Sequence, residues 1–395
     1  MDKIDEILTR GVANIIPGKS KLENLLRSGR KLNIYFGIDP TSTKVHLGHT
    51  VGLRKLQSFA ELGHNVTFLI GDFTALIGDT SDKDSERPKL TSKEIEKNFQ
   101  TYKKQAEKVL DFSKIRVGYN SEWLKKLTFE EIVKLTQHFS AGDFISRELV
   151  KKRFAEGKNV GLHEFLYPVM QGYDSYFMDT DIQIGGTDQT FNMQAGRTLQ
   201  KDLRSKESFV LTLPILEGTD GRKMSKSYGN AIWLEDNPND MFRKIMSIVD
   251  VLIINYLTLA TNVPFGKIKD YEERLKSENP INVKKELAHT IVSELHSKKA
   301  ADEAEENFKR TVQNKELPGE IKLYTFDIPE LNILDVLIHT GLAESKSGAK
   351  RLIEQGGVTI DGNFIKSTDE VIKLKDERII KVGKKNFAKL KLIER

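Results

Sequence analysis

Apolar and polar positions change rhythm twice along this chain. Up to about residue 230, short runs rich in β-branched and aromatic side chains alternate with stretches of helical periodicity. The runs Asn33–Ile38, Asn65–Ile70, Ile115–Gly118, Asp181–Ile184 and Phe209–Leu213 are predicted strands, and a stretch such as Leu90–Leu110 a predicted helix. That alternation is the pattern of a doubly wound, mostly parallel sheet, so residues 1–230 read as an α/β domain. From Met241 to Val312 Leu, Ile and Val recur at three- and four-residue spacings, with Asn-Pro breaks at 237–238 and 279–280, which predicts an all-helical domain over 231–315. The weakly periodic stretch Gln313–Pro329, holding Pro318 and Gly319, reads as a linker, placed at 316–330. Residues 331–395 read as a small α+β module: a helix to Thr340, a stop at Gly341, a second helix from Ser345 and a hairpin turning at Asp361-Gly362.

Composition narrows the class. The 395 residues are 38% hydrophobic and 30% charged, enough for several domains and a sizeable core in a soluble globular protein. With no cysteine there is no disulfide framework, which agrees with a reducing, cytoplasmic home. No run of about eighteen apolar residues predicts a membrane span, and the first residues lack the uninterrupted apolar stretch of a secretory signal. The net charge of +5 is mild, but 331–395 holds 13 Lys plus Arg against 9 Asp plus Glu. Most of the excess therefore sits in the last module, which suggests a polyanionic partner; an ordinary solvated surface is the plainer reading.

The chemistry concentrates in two distant strings, HLGH at 46–49 and KMSKS at 223–227. After the strand Asn33–Ile38 comes a turn at Asp39-Pro40-Thr41 and a helix opening near Val45. A helix N-terminus after a strand favours phosphate, because its first amides lack internal partners and carry the positive end of the dipole. His46 and His49 add ring donors, and Gly48 lets a ligand approach the backbone. Two other readings stay open: a zinc pair, although no cysteine or third ligand is suggested nearby, and plain packed histidines. The lysines of the second string lie in EGTDGRKMSKSYGN, where Gly218, Gly221 and Gly229 are expected hinge points. Such a loop would close on the outer phosphates of a nucleotide; a solvated lysine loop is the bland alternative. Tyr167, Gln171 and Asp174, at i, i+4 and i+7, put three polar groups on one face of a mainly apolar helix. Gly185-Gly186-Thr187-Asp188-Gln189 follows a predicted strand at the end where open α/β sheets bind ligands.

Taken together, PTSTKVHLGH, QIGGTDQ and KMSKS resemble the class I aminoacyl-tRNA synthetases, and the details are similar to the bacterial tyrosyl type. The resemblance runs from about residue 8 to the C-terminus. It implies a Rossmann-like catalytic domain with an insertion at about 127–161, a helical domain that meets the anticodon, and a terminal RNA-binding module of ribosomal small-subunit protein type. It implies activation of tyrosine by ATP to tyrosyl-adenylate and pyrophosphate, then transfer to the 3′ terminal adenosine of tRNA. Thr41, His46, His49, Lys223 and Lys226 would serve catalysis, with Lys83 and Arg87 as a further pyrophosphate grip. Tyr35, Asp79, Tyr167, Gln171, Asp174 and Gln189 would hold tyrosine. Gly37, Asp39, Gly48, Gly185, Gly186, Asp188, Met224 and Ser227 would line the ATP site together with the histidines and lysines, and Lys346, Lys350 and Arg351 would face RNA. No metal held by the protein is implied; Mg2+ would come with ATP. A homodimer formed around the insertion is expected. The chain departs from many relatives at Phe36, where Cys is frequent, and at Gly52, where some carry Thr. A tryptophanyl enzyme and a non-catalytic RNA-binding paralogue are the competing readings.

Overall fold

The structure, a computed structural model, describes residues 2–79, 91–313, 321–374, 377–383 and 386–393. It divides into two compact units, 1–308 and 309–395.

In the first unit six strands form one sheet: β1 Asn14–Ile16, β2 Asn33–Ile38, β3 Asn65–Ile70, β4 Ile115–Tyr119, β5 Ile182–Gly186 and β6 Phe209–Leu213. Their order is β1-β6-β5-β2-β3-β4, parallel throughout except for β1, which runs antiparallel along β6. The chain winds outward from β2 through β3 to β4, then returns to β5 on the other side of β2. This reversal opens a crevice at the carboxyl ends of β2 and β5, the usual ligand position in open α/β sheets. The helix Leu47–Glu61 leaves β2 and buries Leu47, Val51, Leu53, Leu56 and Phe59. The helices Leu162–Phe177 and Thr190–Arg204 pack closely, because a Cβ on Gly172 would lie 3.1 Å from the Ala195 backbone.

Two boundaries differ from expectation. The division at 230/231 cuts through a single hydrophobic cluster that runs from Ile7 to Phe308, taking in Met224, Ile232, Leu234, Phe242 and Leu287, so sheet and helices share one core. The expected linker at 316–330 contains a strand, β7 Leu323–Phe326, whose pairing with the end of the chain no local pattern announces. Of that stretch, residues 316–320 lie outside the described residues.

The second unit adds β8 Glu330–Asn332, β9 Val358–Ile360, β10 Asn363–Phe364, β11 Val371–Lys373, β12 Arg378–Val382 and β13 Asn386–Leu392. Five strands order as β10-β9-β12-β13-β7, and β11 pairs with β8. The β9–β10 turn has positive φ at both Asp361 (49°) and Gly362 (84°), the twist that suits a two-residue hairpin. Helices Ile333–His339 and Lys346–Glu354 share a core with one side of the sheet, through Val336, Leu337, Ala349 and Ile353 against Val358, Ile380, Ala388 and Leu390. Among the described residues no helix is long and apolar enough to cross a membrane.

Candidate active site

The crevice has a lip and a floor. At the lip, His46 caps the helix Leu47–Glu61 in extended conformation and the rings of His46 and His49 stack, 3.8 Å between centroids. The His46 amide donates to His49 Nδ1 (3.2 Å), which leaves the ring proton of neutral His49 on Nε2. Burial, and after it the charge of Lys223, lowers His49 to about 4; burial, His49 and Lys223 also depress His46, so both rings are neutral at neutral pH. A Cβ on Gly48 would come within 3.0 Å of the His46 ring, so any side chain there would press on it.

The lysine string is stitched to this helix. Leu47 N–H donates to Ile232 O and Leu234 N–H to Val45 O, both 2.9 Å, immediately after the loop ends. Within the loop, Met224 is buried and Asn230 ties its two sides together, accepting from Ser225 N–H (2.9 Å) and donating to Asp220 (2.7 Å). Gly221 and Gly229 take positive φ (82° and 65°); a Cβ on Gly218 would strike Asn230 at 2.4 Å. Lys223 reaches Asp188 at 3.3 Å, while Lys226 and Ser227 are exposed. The two strings, almost 180 residues apart in the chain, thus meet at one edge of the crevice.

On the floor Asp174 is only 2% exposed. Trp123 Nε1–H donates to its Oδ1 (2.7 Å) and Asn120 Nδ2 to its Oδ2 (3.1 Å). Burial, opposed by these donors and aided by Asp39 and Asp72, pushes its carboxyl up to about 8. Asn120 also donates to Thr74, Thr74 donates to Asp39 (2.8 Å), and the Tyr167 hydroxyl donates to the other Asp39 oxygen (2.9 Å). Asp39 therefore joins Tyr167 to the floor network as well as following β2. The buried Tyr35 hydroxyl donates to Gln183 (3.1 Å), and burial together with Asp174 keeps it from ionising. Gln171 is half-buried on the same helix, between Tyr167 and Asp174.

A second cluster closes the side. Gln189 donates to Asp79 (2.6 Å), and Asn192 donates to Gln189 (3.0 Å) and more distantly to Asp79. Arg147 lies over the Phe191 ring (4.7 Å) within the field of Asp79. The glycines expected after the strand belong to it: Gly185 and Gly186 pair with Thr212 and Leu213, and a Cβ on Gly186 would meet Asp188 at 2.4 Å. Gly37 is exposed near the carboxyl end of β2, and the Thr41 amide turns back to Asp39 O (2.8 Å).

Phe36 and Gly52 prove to be one feature. A Cβ on Gly52 would lie 2.4 Å from the Phe36 ring, so the ring occupies the room that a side chain at 52 would need. Lys83 and Arg87 lie outside the described residues. Lys346 pairs with Asp335 (2.9 Å) in the second unit, and Lys350 and Arg351 are exposed. Among the described residues no group of three or more His, Asp or Glu is set to hold a metal.

Sequence reading missed Asn120, Trp123, Thr74, Gln183, Asn192 and Arg147. One signal was available: the chain has two tryptophans, and both lie here, Trp123 on Asp174 and Trp233 beside His46 (5.7 Å between ring centroids).

Residues 27–313 match the family described as tRNA synthetases class I (W and Y), and residues 315–390 match the tyrosine–tRNA ligase SYY-like C-terminal domain. A tyrosine–tRNA ligase of Thermotoga maritima is 42% identical over 98% of this chain and 96% of its own length. One from Carboxydothermus hydrogenoformans is 44% identical over 98% and 97%. Among solved structures, tyrosyl-tRNA synthetase of Archaeoglobus fulgidus complexed with L-tyrosine shares the fold with a TM-score of 0.61 at 22% identity, covering 77% of this chain and 98% of that one. A C-terminally truncated mitochondrial tyrosyl-tRNA synthetase of Aspergillus nidulans gives 0.66 at 22%, covering 78% and 93%.

Proposed function

The chain belongs to the class I tRNA synthetases of the tryptophan and tyrosine kind, and we propose that its crevice joins tyrosine to ATP and then passes the tyrosine to the 3′ terminal adenosine of tRNA. The observation that carries the choice of tyrosine is Asp174, a buried carboxyl group with two donors holding it in place and the Tyr35 phenol beside it. A substrate hydroxyl satisfies such a floor. Phenylalanine would leave the floor's polar atoms unpaired, a rule for which this enzyme family is the standing illustration.

Tyr167, Gln171, Asp79 and Gln189 hold the ammonium group and backbone of tyrosine. Asp188 takes the ribose hydroxyls, with Gly37, Asp39, Thr41, Gly48, Gly185, Gly186, Met224 and Ser227 around the nucleotide. The tyrosine carboxylate attacks the α-phosphorus in line; a P–O bond forms to the carboxylate and the bond to pyrophosphate breaks. The nucleophile is already ionised at neutral pH, so no base is needed. Neutral His46 and His49 donate hydrogen bonds to the phosphates, while Lys223 and Lys226, with Lys83 and Arg87, neutralise the departing charge. Magnesium would enter with the nucleotide substrate and would supply positive charge to its phosphates.

Partners follow from surfaces. The insertion exposes Phe129, Val133, Ile145 and Phe154, apolar side chains that a homodimer formed there would cover. The helical segment 231–315 is assigned to the anticodon, and Lys346, Lys350 and Arg351 to the variable arm. The absence of cysteine fits a cytoplasmic setting. Exchange of labelled pyrophosphate into ATP tests the reading: it should depend on tyrosine and not on tryptophan or phenylalanine, and exchange driven by tryptophan would overturn it.

A further inference from the structure

The C-terminal sheet has one packed side and one open side. Along β13, Ala388 and Leu390 are buried under the two helices, so Phe387, Lys389 and Lys391 point away from them. Cross-strand register extends this side into rows. Phe364, Thr359, Lys381 and Phe387 stand in line across β10, β9, β12 and β13. Ile379, Lys389 and Leu323 form the next row, and Lys391 with Thr325 the third. Phe364 is 64% exposed at one edge of this side and Leu323 46% at the other.

Charge and rings interleave here. Lys381 lies over the Phe387 ring (5.4 Å). Lys389 and Lys391, about 7 Å apart along one strand, share a single carboxylate, Glu377, at 3.6 and 3.7 Å. Three cations against one anion leave a positive surface. A protein partner is disfavoured, since the centres of protein interfaces are poor in lysine. Duplex RNA hides its base faces, whereas unpaired bases stack on flat aromatic groups while lysines take the phosphates. We propose that the open side of this sheet binds unpaired nucleotides of RNA, with Phe364 and Phe387 receiving bases and Lys381, Lys389 and Lys391 the phosphates. The surface is separate from the helix carrying Lys350 and Arg351, and it rests on the ligase reading only for the expectation that the RNA is the chain's own tRNA.

The test uses the full chain, with fluorescence anisotropy of a twelve-residue oligouridylate and of the tyrosine tRNA at several salt concentrations. Phe364→Ala should weaken oligonucleotide binding roughly 5- to 100-fold, the range for one lost stacking contact. The triple variant Lys381→Ala, Lys389→Ala, Lys391→Ala should lower the slope of log affinity against log salt by about 2, at about 0.7 per phosphate contact. Tyrosine-dependent pyrophosphate exchange, which involves no RNA, should be unchanged in both, and unchanged far-ultraviolet circular dichroism and thermal unfolding of the variants certify that the second unit still folds. Unchanged affinity and salt slope in both variants, or a change confined to self-association, would overturn the surface. Weakened oligonucleotide binding in variants that keep the parent's circular dichroism and melting, when the parent itself shows no tyrosine-dependent exchange, would keep the surface and remove the ligase reading.

Discussion

The floor and the lip of the crevice are built on opposite plans. On the floor Asp174 is sealed from water, both oxygens are engaged, and the bonding continues through Asn120, Thr74 and Asp39 to Tyr167. At the lip, Lys223 and Lys226 ride on an exposed loop whose glycines adopt conformations other residues resist. Selecting a side chain requires polar groups fixed beforehand in a dry place, where an unpaired atom is expensive. Neutralising a departing triphosphate tail requires cations that can arrive and withdraw. Under the proposed function one fold supplies both, by hanging the first on strands and helices and the second on a loop.

The contrast can be broken at either end. Asp174→Ala should reduce tyrosine-dependent exchange by roughly 10³-fold or more; an unaltered rate would take the carboxylate out of substrate recognition. Lys226→Ala should slow adenylate formation about 10²- to 10³-fold while equilibrium dialysis finds tyrosine affinity little changed, and a pure affinity loss would place this lysine with the floor. Gly52→Thr should cost about 1–3 kcal/mol in chemical denaturation, since a new side chain meets the Phe36 ring. Adding Phe36→Cys should recover most of that loss; simple additivity would show that the two positions are unrelated.

The smallest effect concerns pH. The folded Asp174 carboxyl, at about 8, holds its proton more tightly than in the unfolded chain, where it sits in the ordinary carboxylate range. The stability tied to that proton is complete below pH 4 and is lost as pH rises from about 4 to about 8. Thermal melts of Asp174→Asn should show a flatter decline across that window than the parent, and parallel curves would mean that the acid is charged throughout.

Much of this was legible in the chain. The edges of β2, β3 and β6 fall where apolar runs begin and end, and the hairpin at Asp361-Gly362 was given by turn chemistry. The two strings on the lip are visible because each is a short contiguous pattern that can be read locally, HLGH at 46–49 and KMSKS at 223–227. The partners of Asp174 are not, since Asn120 and Trp123 stand 54 and 51 residues away and only the sheet brings them near. For the same reason β1 and β7, three and four residues long, escape notice: the partner of β1 is β6, almost 200 residues on, and that of β7 is β13, at the far end of its unit. The glycines of β5 looked like turn material because local propensity cannot count hydrogen bonds donated by a neighbouring strand.

The seam between Val45–Leu47 and Ile232–Leu234 fixes one end of the lysine hairpin to the frame that carries the histidines. Reach toward the nucleotide is then a matter of contour length. Each residue contributes up to about 3.5 Å of extended chain, more than a hydrogen bond can span. Under the proposed function, removing one residue between Gly218 and Gly229 other than the two lysines would shorten that reach with both ammonium groups still present, so the loop would act as a ruler for the triphosphate.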